Sequence, residues 1–372
     1  MMSYRLAVIP GDGVGPEVIE AARRVLEATS ATFGFEIGWT EIAAGGNAID
    51  TYGVAIRPDD VRLCGEHDAV LLGAVGGPRW DNPNAPVRPE QALFALRGTL
   101  ELFANLRPVT VYPELVGASP LRPELLDGVD LLIVRELAGG IYFGERQEPD
   151  GEAGARSARD TLPYSEPEIR RIVRLGFELA RSRRGRLTSV DKANVLASSR
   201  LWRLVVEDMK AEFPDVEINH QLVDSAAMLL VRRPADFDVI VTENLFGDIL
   251  SDEAAVLAGS LGMLPSASLG TRQTVHGTFG LYEPIHGSAP DIAGRNIANP
   301  LGTILSAALL LRWSLGREDA AAAIEHAVRR VLEEGHRTAD LASMDDAGEA
   351  VGTAAMADLV VNRIAAPAEV VA

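Results

Sequence analysis

Two aspartates that follow an apolar run are the side chains with the clearest chemical potential in this sequence. Asp248 and Asp252 stand four residues apart, shortly after the apolar segment Val239–Thr242. In a helix this spacing places both carboxylates on one face, one turn apart, where their like charges repel each other. A divalent cation offsets that repulsion, and all-oxygen ligation favours Mg²⁺ or Mn²⁺ over zinc. Two solvated acids on a polar helix face are the alternative, although ligands of open α/β sheets collect at the carboxyl ends of strands.

A third acid, Asp224, lies in the otherwise apolar segment 221–228. Alone, it is also consistent with a helix cap. Together with Asp248 and Asp252, it would complete a cage of three carboxylates around a cation. The sequence therefore supports the hypothesis of a hard-cation site made of these three side chains.

Three arginines stand in apolar sequence, where a surface charge is not ordinarily placed: Arg97, Arg107 and Arg135. Arg135 directly follows the predicted strand Leu131–Val134. The planar fork of arginine binds a carboxylate through two hydrogen bonds, so three convergent arginines suit a dicarboxylic acid. For any one of them, a structural ion pair is the alternative.

One short helical segment combines charge with apolar surface. Glu90, Leu93 and Arg97 are spaced three and four residues apart, so they share a helix face, with Phe94 beside them. A substrate with one charged and one alkyl part matches such a face. A helix that merely faces the core is the competing interpretation.

Short apolar runs alternate with longer helical patterns over most of the chain, which predicts an α/β protein with a largely parallel core sheet. The segment Gln147–Arg159 is polar and predicts an exposed loop or arm. Strands are predicted at Arg5–Ile9, Ala69–Leu72, Leu131–Val134 and Val239–Thr242, and helices at Pro16–Thr29, Ser165–Arg181, Ser198–Glu212 and Glu318–Glu334.

The glycine-rich turn after the first strand is a weak nucleotide signal. A dinucleotide-binding fingerprint needs glycine at its first, third and sixth positions, and here Gly11 and Gly13 are followed by Pro16 at the sixth. Proline suits the first turn of a helix because its missing N–H would be unpaired there. We interpret the turn as a tight connection from strand to helix.

The overall composition limits the partners. The 372 residues carry a net charge of −18, from 35 basic and 53 acidic residues, which disfavours nucleic acid and anionic membranes. A single cysteine, Cys64, excludes an internal disulfide framework, and we interpret it as a buried small hydrophobe. Neither a signal-peptide pattern nor an apolar run of about 18 residues is visible, so we expect a cytoplasmic protein.

Several long motifs resemble those of the β-decarboxylating dehydrogenases, and within that family most closely the isopropylmalate branch. The resemblance runs from about Leu6 to about Leu341. The motifs that carry it are GDGVGPEV at 11–18, LFANLRP at 102–108, RELAGGIYFG at 135–144, DKANVL at 191–196, ENLFGDILSD at 243–252 and EPIHGSAPDIAG at 283–294.

The resemblance implies a fold that is not a Rossmann fold: two α/β domains that share a large mixed, mainly parallel sheet. Residues 1–106 and 262–372 would form the first domain, with both termini and the cofactor site. Residues 107–261 would form the second, with the dimer interface and the metal and catalytic residues. A homodimer is implied, in which Asp224 and Lys192 are contributed across the interface.

The resemblance also implies roles for single residues. Tyr142 and Lys192 would be the acid–base pair, with Asn194 near the nicotinamide and the substrate. The remaining assignments are the substrate residues Arg97, Arg107, Arg135, Asp224, Glu90, Leu93 and Phe94, the metal ligands Asp224, Asp248 and Asp252 for Mg²⁺ or Mn²⁺, and the cofactor residues Glu283, His286, Gly287, Ser288, Ala289, Asp291 and Asn299.

The implied reaction is the oxidative decarboxylation of (2R,3S)-3-isopropylmalate to 4-methyl-2-oxopentanoate and CO₂, the third step of leucine biosynthesis. We expect NAD as the oxidant, because the Asp291 carboxylate can accept hydrogen bonds from ribose hydroxyls but repels a 2′-phosphate. A non-catalytic subunit of the same fold is disfavoured, because the acid–base pair and the metal-type aspartates are all present.

Two positions depart from the family pattern. Ala138 stands where the family usually has threonine, and Phe94 stands where it usually has a second leucine. A larger ring can reshape the pocket for the alkyl group. The same reaction on another 3-substituted malate, on D-malate or on tartrate is therefore the alternative.

Overall fold

Strands that are buried along their whole length form the centre of the fold, as parallel sheets covered on both faces require. The structure is a computed structural model that describes residues 2–82, 85–342 and 350–365. The chain divides into two compact units. Unit 1 consists of Met1–Leu102, Val111–Pro120 and Ala258–Ala372, and unit 2 consists of Phe103–Thr110 and Leu121–Leu257.

Strands and helices alternate along the described residues. The strands are β1 (Met2–Gly11), β2 (Phe35–Glu41), β3 (Ala69–Ala74), β4 (Leu102–Thr110), β5 (Asp130–Glu136), β6 (Arg146–Asp150), β7 (Ser157–Asp160), β8 (Arg186–Asp191), β9 (Glu217–Leu222), β10 (Val239–Thr242), β11 (Pro265–Gln273) and β12 (Thr278–Pro284). The helices are α1 (Gly15–Phe33), α2 (Gly46–Tyr52), α3 (Pro58–Gly65), α4 (Gln91–Thr99), α5 (Glu166–Ser182), α6 (Ala197–Met209), α7 (Val223–Arg232), α8 (Asn244–Ala255), α9 (Leu301–Trp313), α10 (Glu318–Glu333) and α11 (Thr353–Val361).

In unit 1 the strands are ordered β2-β1-β3-β12-β11. All neighbouring pairs are parallel except β11 and β12, which are antiparallel. Helix α9 is buried along its first eleven residues, Leu301–Leu311. A helix that is apolar on all sides belongs in a core, and α9 packs against β11, β12 and the helices α1 and α10.

In unit 2 the strands are ordered β4-β5-β10-β8-β9, and all pairs except β4 and β5 are parallel. The carboxyl ends of β5, β10, β8 and β9 therefore lie at one edge of this sheet. Thr242 pairs in register with Arg135 and with Val190, and Asp191 pairs with Leu222. The residues that follow these four strands are thus gathered at that edge, as expected for ligand-binding residues of an α/β sheet.

The predicted strands and helices are all present. Strand β10 has the predicted bounds, whereas β5 extends two residues beyond the predicted end and so includes Arg135. Helix α5 begins with a capping box between Ser165 and Glu168, at the predicted start. The predicted exposed segment Gln147–Arg159 is exposed, but it contains the paired antiparallel strands β6 and β7, which were not predicted.

Within the described ranges, none of the helices has the length and apolar character needed to cross a bilayer.

Candidate active site

The arginine at the end of β5 and the first aspartate of α8 form an ion pair. The Arg135 guanidinium contacts the Asp248 carboxylate, and Arg135 is only 3% exposed. Its Nε and Nη2 both donate to Asn244 Oδ1, at 3.0 and 2.8 Å, so this edge of the guanidinium is held by one amide oxygen while Nη1 contacts Asp248. The Tyr142 hydroxyl donates to the other oxygen of Asp248 at 2.9 Å. Three of the predicted site residues are therefore in direct contact.

A second arginine approaches the same helix from β4. Arg107 Nη1 lies 3.1 Å from an Asp252 carboxylate oxygen, and its Nη2 lies 3.7 Å from Asp248. Ser251 and Asn105 accept hydrogen bonds from the same guanidinium at 2.6 and 2.8 Å. Arg107 and Arg135 thus converge on the two acids that stand one turn apart on α8. The two guanidinium groups supply positive charge that offsets the repulsion between these two carboxylates.

The predicted base is paired with the predicted third metal ligand. Lys192 Nζ donates to Asp224 Oδ1 at 2.6 Å, from the turn after β8 to the first turn of α7. The hydrogen bond from Lys192 lowers the pKa of the Asp224 carboxyl, which therefore stays ionised at neutral pH. The Lys192 backbone amide donates to Ser199 on α6. Asn194, two residues further along, is exposed.

The donor set at α8 suits a hard divalent cation. Asp248 and Asp252 present carboxylate oxygens, with side chains 35% and 66% exposed. Mg²⁺ is commonly held by one or two carboxylates together with water and substrate oxygens. Among the described residues of a single chain, no three acidic, histidine or cysteine side chains are grouped so that they could together hold a metal ion. Asp224 therefore does not join the two α8 acids within one chain.

Tyr142 is placed to keep its proton. Partial burial first, and then the charge and hydrogen bond of Asp248, raise the pKa of its hydroxyl above the ordinary value. The Arg135 guanidinium lies 5.9 Å from the ring centroid and acts in the opposite direction. At neutral pH the side chain is therefore a neutral phenol that can donate a proton.

In unit 1, Arg97 lies on α4 and pairs with Glu283 at 3.2 Å, both side chains being largely buried. The core side of α4 is formed by Ala92 and Leu96, whereas Leu93 is only partly buried. Glu90 precedes the helix as its N-cap residue and is exposed. Phe94 is 47% exposed. The face that carries the predicted substrate residues is thus distinct from the face that packs into the core.

The predicted cofactor segment follows β12 and packs against the glycine-rich turn. Val14 N–H donates to Ser288 O at 2.8 Å, and a Cβ on Gly13 would lie 1.9 Å from that oxygen. Gly13 has a φ of +59°, so both its backbone and its surroundings require glycine. The turn is not a dinucleotide fingerprint, but it supports the backbone of the segment that resembles a cofactor site.

His286 is half-buried in this segment, and its Nε2 atom is buried. Its Nδ1 lies 2.8 Å from the carbonyl of Gly287, and because a carbonyl can only accept, Nδ1 carries the proton. Burial lowers the pKa of the ring, so Nε2 is an unprotonated acceptor at neutral pH. Nε2 is buried and has no hydrogen-bond partner in the described part of the chain. A buried acceptor of this kind fits a donor such as the exocyclic amine of adenine.

The other predicted cofactor residues lie around the same segment. Asn299 is buried, donates to Asp340 at 3.0 Å and caps the backbone at Leu301. Ala289 has a φ of +38° and Asp291 is exposed. Arg295, which the sequence analysis did not consider, lies 3.4 Å from the Asp291 carbonyl. The residues present suit an adenosine group, with one basic side chain close by.

Sequence reasoning missed the residues that hold the arginines in place. Asn244, Ser251 and Asn105 orient Arg135 and Arg107, and all three are buried. Polar residues inside otherwise apolar motifs were the available signal. Ala138, the departure from the family's threonine, donates only its backbone amide, to Glu136 at 2.9 Å.

Known proteins similar to this chain cover nearly its whole length. A model of the isocitrate/isopropylmalate dehydrogenase family matches residues 5–360. A 3-isopropylmalate dehydrogenase of Anaeromyxobacter dehalogenans is 56% identical and covers 98% of this chain and 100% of its own. One of Moorella thermoacetica is 58% identical and covers 96% and 98%. The crystal structure of isocitrate dehydrogenase from Methylococcus capsulatus has a TM-score of 0.83 at 34% identity, with 97% and 99% covered, which confirms the predicted fold class.

Proposed function

This chain belongs to the isocitrate/isopropylmalate dehydrogenase family, and on that basis we propose that it oxidises and decarboxylates 3-isopropylmalate. The products are 4-methyl-2-oxopentanoate, CO₂ and reduced NAD, in the third step of leucine biosynthesis. The reaction depends on Mg²⁺ or Mn²⁺. The observation that carries the proposal is the identity of 56% and 58%, over almost the full length, to two proteins named 3-isopropylmalate dehydrogenase.

The choice among malates rests on the surface of α4. Isocitrate carries a further carboxylate where 3-isopropylmalate carries an isopropyl group. Leu93 and Phe94 offer no side-chain hydrogen bond to such a carboxylate, so its desolvation would be uncompensated there. Burial of an alkyl group against the same surface makes the free energy of binding more favourable.

The substrate carboxylates are bound by Arg97, Arg107 and Arg135, which present planar donors to them. Asp248 and Asp252 would hold a divalent ion, which would supply stabilisation for negative charge developing on the C2 oxygen, and bound NAD would supply the hydride acceptor. Lys192 takes the proton of the C2 hydroxyl as general base. After CO₂ leaves C3, the neutral Tyr142 phenol supplies the proton that completes the product.

We propose that the chain acts as a homodimer, with Lys192 and Asp224 serving the site of the partner chain. The support comes from α7 and α8, which pack against each other. Large apolar side chains on these helices are exposed, namely Met228 at 59%, Val231 at 41% and Ile249 at 56%. Exposed apolar surface of this kind is typical of protein interfaces.

Residues 1–106 and 262–372 are proposed as the cofactor-binding domain, and residues 107–261 as the domain of the metal and the dimer contact. The second range contains the cluster of Arg107, Arg135 and the α8 acids. The first contains the segment around His286.

A cytoplasmic location is also proposed. Burial raises the pKa of the Cys64 thiol to about 12, so this cysteine is inert. Free, buried thiols suit a reducing compartment.

The function is tested by measuring NADH formation from four acids at equal concentration with Mn²⁺: 3-isopropylmalate, D-malate, tartrate and isocitrate. We expect kcat/KM to be highest for 3-isopropylmalate, and NAD to be preferred over NADP. A preference for D-malate or tartrate would identify the alternative substrate. Comparable kcat/KM with NADP would show that Arg295, and not Asp291, dominates the ribose site.

A further inference from the structure

The hydroxyl of the half-buried Tyr164 bonds to residues next to Arg135 and at the start of α8, and it belongs to none of the roles described above. The Tyr164 hydroxyl donates to Glu136 Oε2 at 3.1 Å and accepts from the Asn244 backbone amide at 3.1 Å. Glu136 is fully buried, and Asn244 is 1% exposed. The hydroxyl therefore joins the end of β5 to the first residue of α8.

The same hydrogen bonds close into a ring. Glu136 Oε2 also accepts from the Gly139 amide at 2.8 Å, and the Gly139 carbonyl accepts from Asn244 Nδ2 at 2.9 Å. Asn244 Oδ1 holds the Arg135 guanidinium. The Asn244 side chain, which sets the plane of Arg135, is thus held by the Gly139 carbonyl and by a backbone that Tyr164 anchors.

Tyr164 also completes the N-terminus of the helix that carries both acids. The first amides of a helix lack partners within the helix. In α8 the Leu245 and Phe246 amides donate to the Glu243 carboxylate at 3.1 and 2.8 Å, and the Asn244 amide donates to Tyr164. The hydroxyl therefore fixes the start of α8, four residues before Asp248.

The loop that leads to Tyr142 is packed directly on the Tyr164 ring. A Cβ on Gly139 would lie 2.9 Å from a ring carbon, and one on Gly140 would lie 2.7 Å from the hydroxyl. Gly140 has a φ of +79°, which only glycine adopts readily. On its other side the ring meets Trp202, edge to face, at 5.9 Å between centroids. The ring is thus a spacer between this loop and α6.

We propose that Tyr164 is a positioning residue, whose hydroxyl holds Arg135, the Tyr142 loop and the α8 acids in one fixed arrangement. The inference deepens the proposed function, since it concerns the same site. It follows from the two hydrogen bonds of the Tyr164 hydroxyl. Glu136, which accepts one of them, directly follows Arg135 on β5. Asn244, which donates the other, orients Arg135 and begins the helix that carries Asp248. Groups that orient the residues around a metal commonly change affinity or activity by about ten- to a hundredfold when removed.

The test compares Tyr164→Phe with Tyr282→Phe. Both substitutions remove one hydrogen-bonded hydroxyl and keep the ring, and Tyr282 bonds to Ser314 at 2.7 Å in the core of unit 1. Mn²⁺ binding to the full-length protein is measured by electron paramagnetic resonance, NADH binding by fluorescence and unfolding by circular dichroism. We expect Tyr164→Phe to weaken Mn²⁺ binding and to raise KM for 3-isopropylmalate, each by about tenfold or more, with NADH affinity unchanged.

A purely structural role gives a different pattern, in which both variants lose stability and neither loses Mn²⁺ affinity. That result overturns the proposal. Glu136→Gln is the second variant, because the carboxylate accepts from Ala138 at one oxygen and from Gly139 and Tyr164 at the other, whereas an amide has only one accepting oxygen. It should weaken Mn²⁺ binding in the same way. Mn²⁺ binding can be measured without turnover. A wild-type chain that binds Mn²⁺ but does not oxidise 3-isopropylmalate would contradict the proposed function. The comparison of Mn²⁺ affinities between the variants would still decide the role of Tyr164.

Discussion

Replacing Lys192 with alanine lowers kcat for 3-isopropylmalate by about 10²- to 10⁴-fold, the contribution expected of a general base. Without the amine, the only proton acceptor left in the Lys192–Asp224 pair is the Asp224 carboxylate, which is a far weaker base than an amine. NADH affinity should stay at the wild-type level, since the residues assigned to the cofactor lie between Glu283 and Asn299 and Lys192 is not among them. Steady-state kinetics and single-turnover NADH formation measure the effect.

Lysine is rare in this sequence, which makes Lys192→Ala a specific test of the base. Only two of the 35 basic residues in the sequence are lysines, Lys192 and Lys210. Arginine does not lose its proton in proteins and cannot act as a base, so of the 35 lysine and arginine side chains only the two lysines can take a proton. Lys210→Ala is the matched control, because Lys210 is 54% exposed and lies 3.9 Å from Glu207 on the surface. A Lys192→Ala variant that is as active as Lys210→Ala would refute the assignment of the base.

Replacing Asp248 with asparagine should lower kcat/KM by about 10³-fold, because several kcal/mol of transition-state stabilisation depend on the metal. The substitution keeps the size of the side chain but removes the charge that Arg135 and Arg107 approach. It also removes an acceptor of full negative charge from the Tyr142 hydroxyl. Mn²⁺ affinity should fall together with kcat/KM, and a titration with Mn²⁺ measures both.

Asp236→Asn serves as the control for that substitution. Asp236 is paired with Arg233 on the surface at 2.7 Å, where ion pairs contribute little to stability. We expect it to behave as the wild type. Unchanged Mn²⁺ binding in Asp248→Asn would mean that the two α8 acids do not bind the ion. They would then be the solvated acids of a polar helix face, paired with Arg107 and Arg135.

The parts of the site that could be predicted are those that depend on local spacing. The interval of four between Asp248 and Asp252 predicts one helix face, and the strand before them predicts its location at a sheet edge. Both are present in the structure. Both predictions depend only on residues that are close together in the sequence.

Contacts between distant residues could not be derived in this way. Arg97 and Glu283 are 186 residues apart, and their pairing depends on where α4 and β12 lie in the folded unit. Tyr164 lies 80 residues before Asn244, in a polar segment that carries no periodic signal. The association of Lys192 with Asp224 follows from the pairing of β8 with β9, which the sequence did not predict.

Strands β6 and β7 were missed for another reason. Every residue of both strands is exposed, so no apolar side alternates with a polar one. Periodicity detects a strand only where one face is buried. Exposure of the segment was predictable from its polarity, whereas its pairing was not.

We propose that one chain supplies Asp248 and Asp252 while a second copy supplies Lys192 and Asp224 to the same reaction centre. Co-expression of a Lys192→Ala chain with an Asp248→Asn chain tests it directly, because each mixed dimer then retains one intact site. With random pairing, half of the dimers are mixed, so the account predicts recovery of about a quarter of wild-type activity from two inactive chains. Lys192→Ala paired with Asp224→Asn should recover none, since both defects affect the same contribution. Equal activity of the two mixtures would contradict a shared centre.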